Sequence, residues 1–368
     1  MDFRRYFLWG ALFISGYLLF LQWNQDYGSQ STQSVAQSSQ EQPETNTQLS
    51  NDLPSATQSV NDANALVPQN ATSIAPGKLI EVTTDTLRVA INPVGGDLVE
   101  AALLQYKKEL GKPDSFVILE DGAERTYVTQ SGLIGQNGPD ASVEGRPVYQ
   151  SEQASYTLMD GEDSLDVNLY YTDAKGVKYT KTFRFTKGKY RIRQLITVDN
   201  TSSSIWRGNL FAQIKRDNSD DPSQATSMGL QPYLGGAISD EENKYNKVSF
   251  SDMEEEPVKK STTQGWVAVL QHYFVSAWIP EQGQKVTLQA RTNNGFNIIG
   301  FTGSPVEIAP GKQGTLASTF YVGPKLQDHL EETAENLDLT VDYGWLWWLA
   351  KPLFWLLTII QSAVINWG

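Results

Sequence analysis

Between Lys78 and about Lys325 apolar and polar residues alternate in short runs, and this period of two restricts the fold more than any other feature of the chain. Val177, Tyr179, Phe183 and Phe185 alternate with Lys178, Thr180, Thr182 and Arg184, and Leu87, Val89 and Ile91 alternate with Arg88, Ala90 and Asn92. Arg191–Val198 reads as a third such strand. Turn residues separate the runs at Pro93-Val94-Gly95-Gly96-Asp97, Asp173-Ala174-Lys175-Gly176, Asn293-Asn294-Gly295 and Ala309-Pro310-Gly311. Many short strands broken by Gly, Pro and Asn predict a mainly β protein, a large antiparallel sandwich. Trp266–Leu270 is apolar at every position, which predicts a central strand covered on both faces. After Pro324 the period changes. Leu326, Leu330, Ala334 and Leu337 recur at helical spacing among acidic residues, which predicts an amphipathic helix packed on the sandwich by a narrow face, with Pro324 in its first turn.

The N-terminal residues have a different texture. Tyr6–Trp23 contains no charge, and as a helix it would be about 27 Å long, close to the hydrocarbon thickness of a bilayer. Arg4 and Arg5 precede it, and no Lys or Arg follows until Lys78. The positive-inside rule therefore makes Arg4 and Arg5 the orienting residues, with a cytoplasmic N-terminus and the rest of the chain outside. A cleaved signal peptide is the competing reading. Its small-residue cleavage site is missing after Leu21, so residues 1–23 are expected to be a retained transmembrane anchor. Residues 24–77 are rich in Ser, Thr, Gln and Asn, with isolated apolar residues and no repeat, and are expected to form a disordered linker.

Composition removes several classes of function. There is no cysteine, so disulfides, thiolate zinc sites and cysteine nucleophiles are excluded. The net charge is −13; residues 1–23 and 343–368 each carry +1, which leaves −15 for residues 24–342. A body this acidic repels phosphate backbones, so no nucleic acid partner is expected.

Candidate chemistry is sparse. His272 falls on the strand face of Trp266, Ala268, Leu270 and Phe274, where it is either a general base or carbohydrate ligand, or a structural imidazole with a hydrogen-bond partner. His329 lies on the polar side of the terminal helix. Asp217–Asp221 resembles a calcium loop, but Pro222 and Met228 stand where Gly and Glu are required, so a solvated acidic loop is expected. Asp252 and Glu254–Glu256, before Pro257, read as another solvated turn. Tyr233, Trp266, Tyr273 and Trp278 either line a sugar-stacking cleft or belong to the core. No nucleotide-binding or nucleophile-elbow motif is present, so no cofactor is expected.

The segment 341–368 is loaded with tryptophan. Beyond Pro352, a helix would align Lys351, Thr358 and Ser362 in a narrow polar stripe beside a broad apolar surface. Trp345, Trp347, Trp348 and Trp355, with Lys351 and Pro352, are the candidate membrane-interface residues. A helix lying in the headgroup region and a short spanning helix both remain open, and the interfacial one suits the polar stripe better.

LDLTVDYGWLWWLAKPLFWLL (Leu337–Leu357) resembles the junction between periplasmic domain and insertase core in the bacterial YidC membrane protein insertases. Gly265–Pro280, Tyr321–Gln327, Ile91–Leu103 and the FRRYFLWGALF start fit the same family, in order. The resemblance implies an inner-membrane protein whose middle domain, 78–340, is a periplasmic supersandwich like that of galactose mutarotases, without their catalytic role. It also implies action as an insertase and chaperone on nascent membrane proteins in the lipid bilayer, alone or beside the Sec translocon and its SecD–SecF complex. The competing function is a membrane-anchored carbohydrate-binding or epimerase-like domain. In the family a five-helix core with a hydrophilic groove follows the interfacial helix. Here the sequence stops at Gly368, so no groove residue is carried over and this chain alone is expected not to insert a substrate.

Overall fold

The structure, a computed structural model, describes residues 52–54, 78–109, 111–143, 145–223 and 232–341. These belong to one compact unit, Thr47–Gln224 with Pro232–Gly368. The anchor 1–23 with Arg4 and Arg5, most of the linker 24–77, and the 342–368 segment with Trp345, Trp347, Trp348, Lys351, Pro352 and Trp355 lie outside the described residues. Among the described residues no helix is long and apolar enough to cross a membrane.

Two sheets face each other. In the eleven-stranded sheet the order is 258–262, 286–293, 296–303, 206–216, 126–134, 115–121, 97–107, 87–92, 80–83 and 155–157, with 306–308 beside the start of 206–216. The nine-stranded sheet runs 246–248, 235–239, 266–270, 274–280, 312–324, 191–200, 178–186, 164–172 and 150–151. Pairing is antiparallel throughout except between 80–83 and 155–157. The chain crosses repeatedly from one sheet to the other, as in the step from 191–200 to 206–216. Strands distant in sequence are thereby interleaved across one shared core.

The alternation predicted from sequence matches the burial except at Ala90, which is buried with Val99 and Val128 on the other face. Leu87, Val89 and Ile91 are buried while Arg88 is exposed, and Tyr179, Phe183 and Phe185 are buried beside exposed Lys178 and Arg184. The predicted turns carry residues with positive φ, where glycine has no Cβ penalty. Between Asn293 and Phe296 both central residues have it, Asn294 at 49° and Gly295 at 78°, which suits a tight hairpin. All five residues of Trp266–Leu270 are buried, and the strand is paired on both sides.

Three tryptophans fill the core, each with its indole N–H satisfied. Trp206 donates to the Tyr179 hydroxyl at 3.0 Å, Trp266 to the Glu335 carbonyl at 3.1 Å and Trp278 to Thr129 Oγ1 at 2.6 Å. The last bond joins the two sheets, as does the 2.6 Å bond from Ser131 Oγ to Gln194 Oε1. Trp266 and Trp278 are therefore core residues. Tyr233 donates to the Gly236 carbonyl, and Tyr273 is exposed.

The terminal helix is shorter than its spacing predicts. It covers Gln327–Thr333; Ala334 is extended, Asn336 is left-handed at φ 62°, and a 3₁₀ turn follows over Leu337–Thr340. The last helical turn has acidic and no basic residues, which the negative end of a helix dipole disfavours. Leu330, Ala334 and Leu337 still reach the core, whereas Leu326 stays exposed. Pro324 ends the preceding strand and does not open the helix. Asp252 and Glu254–Glu256, expected in a solvated turn, belong to a helix over Phe250–Glu255 and its C-cap, because Ser249 and Asp252 build a reciprocal capping box and Met253 is buried.

Candidate functional site

The histidines do not converge. His272 lies in the turn between strands 266–270 and 274–280, not on a strand face. There it stacks on Tyr273 with ring centroids 3.9 Å apart. Its backbone N–H donates to Asp221 Oδ2 at 2.9 Å, and Nδ1 is buried without a partner among the described residues. His329 packs against Tyr190, at a centroid distance of 5.6 Å. The calcium-like loop is solvated only in part: Asn218 and Asp220 are exposed, but its end is held inside. Asp221 is 3% exposed and its Oδ1 accepts from Gln271 Nε2 at 2.9 Å, while Asp217 accepts the Thr126 N–H at 2.6 Å. These carboxylates fasten the loop to the sandwich.

Two polar constellations stand out that the alternation does not reveal. The first is buried between strands. Asp140 Oδ2 accepts the Leu133 N–H at 2.8 Å, its Oδ1 lies 2.8 Å from Arg146 Nη2, and Arg146 also pairs with Asp97. Lys181, fully buried, enters from the nine-stranded sheet and donates to the carbonyls of Gly95 at 2.9 Å and Ser131 at 2.8 Å. Burial pushes the Lys181 ammonium down to about 8 against the pull of Asp97, and pushes the Asp140 carboxyl up against Arg146 and Lys181. Lys181 is the member of this group that crosses between the sheets, and the Asp140–Arg146–Asp97 pairs brace the eleven-stranded sheet around the carbonyls it reaches.

The second lies on the face of the eleven-stranded sheet turned away from the core. Leu210, Ala212 and Ile214 of strand 206–216 point inward, as do Val286, Leu288 and Ala290 of 286–293, so the intervening residues point outward. The register aligns Gln130, Gln213, Gly300 and Gln289 in one outward row, and Val128, Lys215, Ile298 and Arg291 in the next. Gly300 keeps the floor low: a Cβ there would lie 2.5 Å from that of Gln213. Onto this floor comes Asp52, remote in sequence. Its carbonyl accepts from Gln213 Nε2 at 2.8 Å and Arg291 Nη2 at 2.6 Å. Its carboxylate pairs with Lys215 and accepts from Asn293 Nδ2 at 3.2 Å. Lys215 Nζ sits 4.1 Å from the Phe296 ring centroid, and Gln213 also donates to Gln130 Oε1 at 2.9 Å. Burial pushes the Arg291 guanidinium down, and Asp52 pushes it back. Leu53 is half-buried and Pro54 is buried. Two basic strand residues in an acidic chain, and one Asp-Leu-Pro in a Ser- and Gln-rich stretch, were the available signals; no spacing rule connects them.

The family model described as the YidC periplasmic domain matches residues 79–356. The membrane protein insertase YidC of Marinomonas sp. (strain MWYL1) is 86% identical over 368 residues, all of this chain and 67% of the relative. That of Pseudomonas syringae pv. tomato is 46% identical over 378 residues, covering 100% of this chain and 66% of the relative. The chain thus spans about two thirds of the length of these relatives. Among solved structures there is a partial likeness to a galactose mutarotase-like protein from Lactobacillus casei, 10% identical, covering 66% of this chain and 99% of that one with a TM-score of 0.46. Another is to the galactose mutarotase related enzyme from Lactobacillus acidophilus, 9% identical, covering 66% and 97% with a TM-score of 0.43. From the family match across the whole sandwich and the identity along the full chain, the protein belongs to the YidC membrane protein insertase family.

Proposed function

We propose that this chain is the membrane-anchored periplasmic part of a YidC insertase, aiding the insertion, folding and assembly of integral membrane proteins. The observation that carries the reading is the family match over residues 79–356, which takes in both sheets, the terminal helix and the start of the tryptophan-rich segment. Residues 1–23 serve as the anchor in the bacterial inner membrane, oriented by Arg4 and Arg5 with the N-terminus in the cytoplasm. Residues 24–77 tether the sandwich, and 341–368 lie along the outer membrane–water interface, with Trp345, Trp347, Trp348 and Trp355 at headgroup depth and Lys351 in the polar stripe. The role is one of binding and positioning, without covalent chemistry. Its partners are nascent membrane proteins, the lipid bilayer, and the Sec translocon with its SecD–SecF complex.

The test is crosslinking in bacterial cells. A photoreactive residue at exposed Tyr273 or Val143, in the chain joined to the remainder of a relative's insertase, should capture a ribosome-stalled membrane protein or SecF. A chain that reaches the membrane in full amount and captures neither contradicts the reading.

A further inference from the structure

We infer that the outward face of the eleven-stranded sheet is a docking site for a short peptide turn, and that its resident ligand is the chain's own Asp52-Leu53-Pro54. The inference is independent of the insertase reading.

Four donors converge on one residue from two strands that are not neighbours, 206–216 and 286–293. They divide their work. Gln213 and Arg291 take the backbone carbonyl of Asp52, while Lys215 and Asn293 take its carboxylate. A site that reads a main-chain carbonyl and a side-chain carboxylate of the same residue fixes the direction of the peptide as well as its charge. The strand lying between the two donor strands carries Gly300 and Ile298 in these rows, so no long polar side chain obstructs the approach.

The contact is also partly dehydrated. Gln213 is 2% exposed, and the Lys215 and Asp52 side chains are 18% and 24% exposed, which places the pair between surface and interior. Charge-assisted bonds count for more there than in open water. The charge balance points the same way. The chain is strongly acidic, yet the two rows around the site hold Lys215 and Arg291 and no carboxylate. Asp52 supplies the acidic group, and without it two basic residues would face each other across half-buried ground.

The next two residues suit the same surface. Leu53 is half-buried and Pro54 is buried, and a proline brings no N–H that burial would leave unsatisfied. Asp-Leu-Pro occurs once in the chain.

The experiment uses the full chain in lipid nanodiscs. It has no native cysteine, so Ser55→Cys and Lys259→Cys take spin labels cleanly; Lys259 is exposed and opposite Gln289 in register. Pulsed dipolar spectroscopy should give one narrow distance. Adding Asp52→Ala or Arg291→Ala should widen the distribution at least about twofold. Asp52 lies outside every strand, so its variant leaves the sandwich folded, and circular dichroism checks the Arg291 variant. A broad distribution in the parent chain, or a narrow one that survives both substitutions, overturns the inference.

Discussion

Arg146 Nη2 lies 2.8 Å from Asp140 Oδ1, and the Asp140 side chain has no exposed surface at all. A carboxylate so placed depends on its cation. Replacing Arg146 with Ala leaves Asp140 and Asp97 with Lys181 alone and should cost about 3–5 kcal/mol, the usual penalty for breaking a buried pair. Arg184 and Asp166 form a pair of similar geometry at 2.6 Å, but their side chains are 49% and 36% exposed. Arg184→Ala should therefore cost less than about 1 kcal/mol. Denaturant unfolding of the two variants side by side checks the contrast; equal losses would show that burial is not what matters.

Lys181 gives the stability a pH dependence of definite sign. Burial holds its folded-state pKa near 8, whereas in the unfolded chain it titrates at about 10.4. Between those values the unfolded chain carries a proton that the folded one has released. Stability from this group therefore rises with pH through that window, by no more than about 1.4 kcal/mol per unit. Tyr127, pushed up to about 12 by burial, acts oppositely above its ordinary value near 10, so the comparison belongs at pH 7.5 and 9.5. Lys181→Met should abolish the rise between these two values, and an unchanged rise in the variant would assign it to other groups.

Gly132 and Gly295 should each resist alanine, for different reasons. At Gly132 a Cβ would lie 2.1 Å from Asp140 Oδ2, so Gly132→Ala must displace the clamp carboxylate and should cost several kcal/mol, about what a broken buried pair costs. At Gly295 nothing lies within 4 Å, but φ is +78°, so Gly295→Ala meets only backbone strain of about 1–2 kcal/mol. Thermal melts of the two variants should rank them in that order.

The strands and turns were legible because each is written locally. Leu87, Val89 and Ile91 show their inward face by spacing alone, and Asn294-Gly295 shows its turn by chemistry. What escaped is tertiary. Lys181 occupies an inward position in a strand whose inward neighbours are Tyr179 and Phe183, and it is stable there only because the carbonyls of Gly95 and Ser131 lie opposite. His272 reads as a strand residue because alternation from Trp266 through Leu270 reaches Phe274 with no Gly or Pro to mark the turn at 271–273. The helix end at Ala334 was hidden by an apolar spacing that the following 3₁₀ turn preserves. The Asp52 site was the least legible. Lys215 and Arg291 become neighbours only through their shared partner Ile298, which no local pattern encodes.

The central claim, that this chain works as the periplasmic part of an insertase, is tested most directly by complementation. Residues 1–368 would replace the corresponding segment of the Pseudomonas syringae relative, 46% identical, and the chimera would be expressed in a strain depleted of its own insertase. Restored growth and insertion of a reporter membrane protein are predicted. A chimera that accumulates in the membrane at the relative's level, yet leaves the reporter uninserted, would contradict the account.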